Sequence, residues 1–372
     1  MDTPRTGRIA LAQVNPTVGA FEDNAAKIRL AAARARAAGA RLVVYPELVV
    51  CGYPPRDLLD LPEFLERARR TLEALARPAD WSRGLALVIG FPERAEGAPP
   101  PGVYNAVALV EDGRIVAVGR KSLLPTYDVF DEARHFLPAP RPTAAASVAG
   151  GATLGLSVCE DIWNDKRFWD RPRYARDPIA ELVGAGADLV VNVSASPYAM
   201  GKPALRERML AAAACEHGRA IAYVNQVGGN DALVFDGGSV LLDARGEVVA
   251  RAPLFDEAVV VADLDGGAVT ATTLDGAPVA PSPAPAGAQA PEAVADEVFR
   301  ALVVGTRDYV RKCGFRSVVI GLSGGIDSAL TACIAAEAVG KENVLGVAMP
   351  SRYSSSHSVE DATALAENLG IR

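Results

Sequence analysis

The stretch TLGLSVCED (153–161) is an apolar run of β type that ends in a cysteine and two carboxylates. Other runs of this kind, bounded by turn residues, are RIALAQVN (8–15), ARLVVYPE (40–47), GLALVIGFPE (84–93), DLVVNVSAS (188–196) and RAIAYVNQVGG (219–229). Segments typical of helices lie among them, at 22–39, 177–187 and 202–218. Hairpin patterns occur at 103–122 and 238–253. This alternation predicts an α/β fold in which helices cover a mixed sheet.

The composition of the 372-residue chain predicts a large buried core, because 50% of its residues are hydrophobic. A net charge of −7 and the lack of a long basic run argue against nucleic acid or a membrane surface as the main partner. No apolar run is long enough to predict a membrane span, and the N-terminal MDTPRTGRIALAQ lacks the apolar segment of a signal peptide. Five cysteines without a CxxC pair fit a reducing compartment, so we expect a cytoplasmic protein.

The composition changes at GAPVAPSPAPAGAQAPEA (276–293), a Pro- and Ala-rich segment typical of linkers. We therefore predict a first domain at 1–270, a linker at 271–291 and a second domain at 292–372. Helix, strand, helix and strand patterns follow at 292–312, 317–322, 327–339 and 343–350. They form one βαβ unit, the usual start of a doubly wound parallel domain. Because a parallel sheet needs cover on both faces, we expect the second domain to be incomplete and the chain to be truncated.

Three chemically active residues end apolar runs: Glu47, Lys121 and Cys159. Side chains at the same ends of adjacent strands can converge on one pocket. There a thiolate can attack an amide, a carboxylate can take the thiol proton, and an ammonium can stabilise the oxyanion. This chemistry needs no histidine. A buried cysteine at a strand end is also typical of inert packing, and a glutamate after a proline is typical of the surface. Spacing alone therefore leaves both interpretations open.

A second candidate site lies between the strand at 317–322 and the helix that follows it. Its residues are Gly321, Leu322, Ser323, Gly324, Gly325, Ile326, Asp327 and Ser328. The pattern is neither a Walker A motif nor GxGxxG. The glycines let backbone N–H groups approach an anion at a helix N-terminus, where the hydroxyls of Ser323 and Ser328 can bond phosphate oxygens. Asp327 fits as a ligand of a Mg²⁺ ion that carries the phosphate. The alternative is a glycine-rich turn in which Asp327 or Ser328 is a simple N-cap.

Several longer motifs resemble those of a known family. The segments YPEL (45–48), GRKSLLPTYDVFDEARHF (119–136) and CEDIW (159–163) are similar to three motifs of the nitrilase superfamily. NVSASPYAMGKPALR (192–206) and NQVGGNDALVFDGGS (225–239) resemble its glutamine-dependent NAD synthetases in particular. The resemblance spans about 8–263 and continues from about 292 to the end. It implies an N-terminal α-β-β-α nitrilase-like sandwich, followed by the beginning of a doubly wound parallel α/β synthetase domain.

The resemblance also implies roles for individual residues. Cys159 would be a nucleophile that forms a γ-glutamyl thioester, with Glu47 as general base, Lys121 as oxyanion partner and Glu132 as an accessory glutamate. The residues implied in glutamine binding are Tyr127, Ser196, Lys202 and Glu160, the last facing the α-amino group. Each is also compatible with a structural or solvated position. The serines at 354–356 are equally compatible with a substrate contact and with a flexible polar loop.

The loop at 321–328 resembles the pyrophosphate loop of N-type ATP pyrophosphatases. The implied reaction uses ATP and Mg²⁺ to activate the carboxylate of deamido-NAD, which ammonia from glutamine then converts to NAD. An ammonia passage and a homo-oligomer are implied as well. One alternative is a stand-alone amidase or carbamoylase of the nitrilase superfamily. Another is a non-catalytic ATP-binding sensor fused to an inactive amidase. From the incomplete second domain we expect this chain to keep glutaminase activity at best.

Overall fold

A computed structural model describes residues 7–141, 146–148, 151–171, 173–280, 291–350 and 356–372. The chain forms two compact units, one of Met1–Val227 with Phe235–Gly287 and the other of Gly228–Val234 with Ala288–Arg372. The domain boundaries placed at 270 and 291 stay predictions. Much of the expected linker, and Ser354 and Ser355 of the expected substrate contact, lie outside the described residues.

From 8 to 94 and from 153 to 225 strands alternate with helices, as the sequence pattern predicts, whereas the strands from 220 to 272 follow one another directly. The strands are β1 (Arg8–Gln13), β2 (Ala40–Val44), β3 (Ala86–Arg94), β4 (Val103–Glu111), β5 (Arg114–Arg120), β6 (Ala146–Ser147), β7 (Thr153–Val158), β8 (Leu189–Ser194), β9 (Ala220–Asn225), β10 (Val227–Asn230), β11 (Leu233–Asp236), β12 (Val240–Leu242), β13 (Val248–Arg251), β14 (Ala258–Asp263) and β15 (Gly267–Thr272). The helices are α1 (Phe21–Ala37), α2 (Pro62–Ala76), α3 (Glu132–His135), α4 (Pro178–Gly184) and α5 (Lys202–His217).

Two mixed sheets form the centre of the first unit. One has seven strands in the order β15-β14-β1-β2-β3-β4-β5, and the other has six in the order β13-β12-β9-β8-β7-β6. In each sheet the three strands joined by helices are parallel, β1-β2-β3 and β7-β8-β9, because a helical crossover returns the chain in the same direction. Hairpin-linked strands such as β4 and β5 are antiparallel. The predicted mixed character is therefore confirmed.

The main core lies between the two sheets. Leu11, Val44 and Val107 of the first sheet belong to the same buried apolar cluster as Leu156 and Val191 of the second. The outer face of the second sheet packs against α4 and α5, and α1 and α2 contact strands of the first. Since the central strands are covered on both faces, most of their residues are apolar and buried. The α-β-β-α sandwich implied by the resemblance is confirmed.

Several elements were not predicted from the sequence, among them α2, α3, β6, β11, β14 and β15. Helix α2 begins with a proline in its first turn and buries Phe64, Leu65, Leu72 and Leu75. Its seven charged or polar residues lie among these apolar ones at helical spacing, so the amphipathic pattern of α2 is present in the sequence. Strand β14 pairs antiparallel with β1, more than two hundred residues earlier in the chain. Which strand pairs with β14 depends on the arrangement of the whole sheet and cannot be predicted from the local sequence.

The second unit contains the predicted βαβ arrangement. Strands β16 (Val318–Leu322) and β17 (Val344–Ala348) are parallel and are joined through α7 (Ile326–Val339). Helix α6 (Pro291–Lys312) precedes them and α8 (Ser356–Leu369) follows. After α8, Arg372 exchanges backbone hydrogen bonds with Val344 and Gly346, so the chain there runs beside β17 as an extended segment.

Candidate active site

Glu47 lies just after β2 and is wholly buried. Its Oε1 accepts hydrogen bonds from Asn105 Nδ2 at 2.6 Å and Lys121 Nζ at 2.8 Å, and its Oε2 accepts one from the Ala195 N–H at 2.8 Å. The turn that carries Glu47 fits closely against β3 at Gly90, where a Cβ would lie 2.6 Å from the Pro46 carbonyl oxygen. Donors from both sheets thus fix the carboxylate in one orientation.

Lys121 follows β5 and is also wholly buried. Its ammonium lies between two carboxylates, 2.8 Å from Glu47 Oε1 and 2.9 Å from Glu132 Oε1. Burial works to lower the pKa of Lys121, but Glu132 and Glu47 together hold it well above its usual value. Burial raises the pKa of Glu132 to about 7 against the opposing effect of Lys121. Tyr53 donates its hydroxyl proton to Glu132 Oε1 at 2.7 Å.

Cys159 stands at the turn directly after β7, at the start of the 3-10 segment Cys159–Ile162. Its φ of 41° lies in the left-handed region, which a residue with a Cβ adopts only at a cost. Burial raises the pKa of the Cys159 thiol; Glu47 raises it further and Lys121 opposes the rise. The thiol is therefore protonated at neutral pH and needs a base before it can attack.

The three predicted residues do converge, but not from adjacent strands as expected. Glu47 and Lys121 follow β2 and β5, which β3 and β4 separate in the first sheet, whereas Cys159 follows β7 in the second. Packing of one sheet on the other brings the strand ends together. The expectation of adjacent strands was therefore wrong, while the catalytic roles of the three residues stay predictions.

A cavity of about 650 Å³ opens in front of Cys159. It is lined by Tyr127, Asp128, Phe130, Cys159, Glu160, Trp163, Trp169, Arg171, Arg173, Ser196, Ala199, Met200, Gly201, Lys202, Leu205 and Arg208. All four residues implied in glutamine binding are among them. The structure thus places the candidate nucleophile and the candidate binding residues at one cavity.

The polar residues of the cavity are held by their neighbours. Glu160 Oε1 accepts the hydroxyl protons of Tyr127 at 2.8 Å and Tyr174 at 3.1 Å, and burial raises the pKa of Glu160. Arg173 lies over the Tyr127 ring, with its guanidinium carbon 3.8 Å from the ring centroid. The cavity therefore contains the acidic side chain of Glu160 and the basic side chain of Arg173, both in contact with Tyr127.

Lys202 begins α5, with its ammonium 5.4 Å from the centroid of the Trp163 ring and 2.9 Å from the Pro197 carbonyl oxygen. Burial lowers the pKa of Lys202, and the neighbouring Arg206 lowers it further. Ser196 is buried, and its backbone N–H donates to Asn225 Oδ1 at 2.8 Å. Both candidate binding residues therefore have fixed positions at the cavity.

The candidate phosphate loop belongs to the second unit. Gly321 and Leu322 end β16, Ser323 to Gly325 form the turn, and α7 begins at Ile326. The hydroxyl oxygens of Ser323 and Ser328 lie 3.1 Å apart. The N-cap residue is Gly325, with no side-chain cap bond among the described residues, so neither Asp327 nor Ser328 is the N-cap, and phosphate binding by this turn stays a prediction. The first-turn N–H groups of α7 keep their capacity to bind an anion.

The profile of the carbon-nitrogen hydrolase family matches residues 8–273. The chain belongs to this family. The NAD synthase profile matches residues 298–372. The chain is 45% identical over 368 residues to the glutamine-dependent NAD(+) synthetase of Synechocystis sp., covering 98% of this chain and 63% of that relative. The corresponding protein of Thermotoga maritima is 44% identical, with 98% and 64% covered. The chain thus spans just under two thirds of the length of these curated relatives.

Solved structures support the same comparison. Glutamine-dependent NAD+ synthetase from Acinetobacter baumannii, in complex with adenosine diphosphate, superposes with a TM-score of 0.82 at 35% identity, covering 98% of this chain and 63% of that chain. A mutant amidase from Nesterenkonia sp. superposes with a TM-score of 0.59 at 29% identity, covering 70% of this chain and 91% of the amidase. In that amidase the acetamide moiety of fluoroacetamide is added covalently at the active-site cysteine.

Several residues at the site of this carbon-nitrogen hydrolase were not predicted from the sequence: Asn105, Tyr53, Tyr174 and Asp161. Asn105 interrupts the apolar run of β4, and a lone amide in a buried strand is a signal that could have found it. Asp161 stands inside the CEDIW motif. Tyr53 and Tyr174 lie in loops without a distinguishing pattern.

The donor set for a metal is sparse in this family member. Within the described ranges, no group of three or more His, Cys, Asp or Glu side chains could hold a metal ion. Asp327 is exposed in the first turn of α7 as a single carboxylate. Mg²⁺ is commonly held by one or two carboxylates plus substrate phosphates, so this donor set fits an ion that arrives with a nucleotide. No helix in the described part of the chain is long and apolar enough to cross a membrane.

Proposed function

We propose that this chain hydrolyses the side-chain amide of glutamine at Cys159 and that the ammonia serves the synthesis of NAD. The overall reaction converts deamido-NAD, ATP, glutamine and water to NAD, AMP, diphosphate and glutamate. The observation that carries the proposal is the buried Glu47–Lys121 pair beside Cys159, at a cavity that also presents opposite charges. The activity named for the curated relatives supports it.

The first half of the reaction forms a thioester. Cys159 Sγ attacks the amide carbon while Glu47 takes the thiol proton, which the raised pKa of the thiol makes necessary. The carbonyl oxygen becomes an oxyanion that the Lys121 ammonium stabilises. Glu47 then gives its proton to the amide nitrogen, the C–N bond breaks and ammonia leaves.

The second half regenerates the enzyme. Water loses a proton to Glu47 and attacks the thioester carbon, with the oxyanion again held by Lys121. The C–S bond breaks, the proton on Glu47 returns to the thiolate, and glutamate leaves. Because Glu47 accepts three hydrogen bonds, its carboxylate stays oriented through both proton transfers.

Substrate recognition follows from the charges at the cavity. Glutamine carries an α-ammonium and an α-carboxylate. Glu160, supported by Tyr127, suits the ammonium, whereas Lys202 suits the carboxylate and Ser196 can add a hydrogen bond. An amide without the two α-charges could not form ion pairs with Glu160 and Lys202, which favours an amino-acid substrate.

The loop from Gly321 to Ser328 is proposed to bind the phosphates of ATP. Its backbone N–H groups and the Ser323 and Ser328 hydroxyls would hold phosphate oxygens, and Asp327 would hold a Mg²⁺ ion that neutralises phosphate charge. ATP would activate the carboxylate of deamido-NAD for attack by ammonia. A cytoplasmic location and a homo-oligomer stay predictions.

The two alternatives differ from this proposal in their need for ATP. A stand-alone amidase releases ammonia without ATP and forms no NAD, and the phosphate-type loop argues against it. A non-catalytic sensor does neither, and the intact buried site argues against that. Formation of NAD from deamido-NAD and ATP, with glutamine or with ammonium chloride, would support the synthetase over both alternatives. Release of ammonia from glutamine without NAD formation would rule out the sensor alone.

The nucleophile is tested directly by Cys159→Ala. We expect glutamate release to fall by on the order of 10³-fold or more, since the covalent route is lost, while circular dichroism stays that of the parent chain. The exposed Cys215→Ala is the matched control and should keep parent activity. Parent-rate glutamate release by a folded Cys159→Ala variant would refute the assignment.

A further inference from the structure

Asp161 is a buried carboxylate that lies next to the site but not at the cavity. Only 2% of it is exposed, and it is not among the residues that line the cavity. Its Oδ1 accepts the backbone N–H groups of Ser122 and Leu123, each at 2.9 Å, and its Oδ2 accepts that of Val158 at 3.2 Å. One side chain thus satisfies three buried backbone donors.

The positions of these donors are informative. Ser122 and Leu123 directly follow Lys121 at the end of β5, in the first sheet. Val158 is the last residue of β7, in the second sheet, and directly precedes Cys159. Asp161 therefore ties the loop that carries the ammonium to the turn that carries the thiol. The bond to Val158 also closes the turn around Cys159, where φ is 41°.

We propose that Asp161 is a positioning residue that keeps Lys121 and Cys159 at a fixed separation across the two sheets. The expected effect of Asp161 on the reaction rate rests on the proposed glutamine hydrolysis. Asp161 acts through the backbone on either side of the reacting groups and does not touch the substrate. A loss of this bridge shifts the ammonium relative to the thiol, and a shift of about 1 Å can cost about 100-fold in rate.

Asp161→Asn tests the bridge with little change in volume. The asparagine side chain has one acceptor oxygen, so it cannot accept from both strand ends, and its NH₂ group faces a backbone donor. We expect kcat for glutamate release to fall about 100-fold, with KM for glutamine unchanged because the cavity lining is intact. Asp161→Glu keeps the charge but moves it by one methylene, and should also lower kcat.

Asp188→Asn is the matched control. Asp188 Oδ2 accepts the Thr153 N–H at 2.9 Å, at the opposite end of the same strand β7. Its loss removes a comparable carboxylate-to-backbone bond far from the reacting groups, so kcat should stay within about twofold. A general loss of stability would lower the activities of both variants, whereas a positioning role lowers only those of the Asp161 variants.

A second measurement needs no glutamine. The rate at which iodoacetamide alkylates Cys159, followed by mass spectrometry, should fall in Asp161→Asn and stay at the parent value in Asp188→Asn. If the parent chain fails to hydrolyse glutamine, the proposed function fails while the alkylation rates still decide the role of Asp161. Parent values of kcat and alkylation rate in Asp161→Asn would overturn the inference. If that variant does not fold, a parent kcat in Asp161→Glu would do so.

Discussion

Lys121 Nζ lies 2.8 Å from Glu47 Oε1, and neither side chain is exposed to solvent. A buried ion pair of this kind adds little net stability, because desolvation offsets the attraction. Here Glu132 adds a second carboxylate on the same ammonium. The arrangement instead suits the proposed amide hydrolysis, in which a carboxylate and an ammonium act beside a thiol.

The raised pKa of Glu132 predicts a pH-dependent stability. Because the folded state binds this proton more tightly than the unfolded state, stability is lost as pH rises from the ordinary value of 4.5 to about 7. Glu132→Gln cannot titrate, so its stability relative to the parent chain should rise by about 3 kcal/mol across that window. Urea denaturation at several pH values measures this, with the exposed Glu96→Gln as control. Parallel pH profiles for the parent chain and Glu132→Gln would contradict the prediction.

Lys202 is predicted to bind the substrate carboxylate. Lys202→Met keeps a side chain of similar length but removes the ammonium beside the Trp163 ring and its charge-assisted bond to the substrate, which is worth about 1.5–3 kcal/mol. We expect KM for glutamine to rise by about 10- to 100-fold while kcat changes little. Steady-state kinetics check this against Lys166→Met, which removes an exposed ammonium bonded to the Ala175 carbonyl. An unchanged KM in Lys202→Met would show that Lys202 does not bind the substrate carboxylate and has only a structural role at the start of α5.

Arg206 and Asp236 form a buried ion pair behind the cavity, with Nη2 and Oδ2 2.6 Å apart. Arg206→Met leaves Asp236 buried without this partner, so we expect a loss of about 3–5 kcal/mol in the free energy of unfolding. Arg251→Met breaks the more exposed pair with Glu207 and should cost about 1 kcal/mol or less. Chemical denaturation compares the two. Equal losses would show that burial does not govern the energy of the Arg206–Asp236 pair.

Alanine substitutions at two glycines of the second unit can distinguish the cost of backbone strain from the cost of a steric clash. Gly324 and Gly314 both have φ of 79°, but a Cβ on Gly324 would lie 2.7 Å from Ser358 Cα, whereas nothing lies within 4 Å of one on Gly314. Gly314→Ala should cost about 1 kcal/mol from strain alone. Gly324→Ala should cost more and should displace the loop that begins α7. Thermal unfolding and hydrogen exchange measure this, and equal destabilisation by the two substitutions would contradict it.

Much of the first unit could be predicted because its central strands are covered on both faces. Strands such as β3 and β8 are largely apolar, and segments typical of helices lie among the strands. Functional side chains tend to lie at the ends of such strands. This tendency led to Glu47, Lys121 and Cys159 as candidate site residues. Helix α2 was missed although its apolar stripe is clear, whereas strand β14 was missed because its pairing depends on a distant partner.

The sequence by itself determined the order of the elements, the residue types at the strand ends and the glycine-rich turn before α7. Only the tertiary structure decided that Cys159 arrives from a different sheet than Glu47 and Lys121, and that Asn105, Tyr53 and Asp161 hold the site together. The physical reason is distance. Hydrogen bonds and pKa values depend on groups a few ångströms apart, and packing of the two sheets brings together residues that are far apart in the chain.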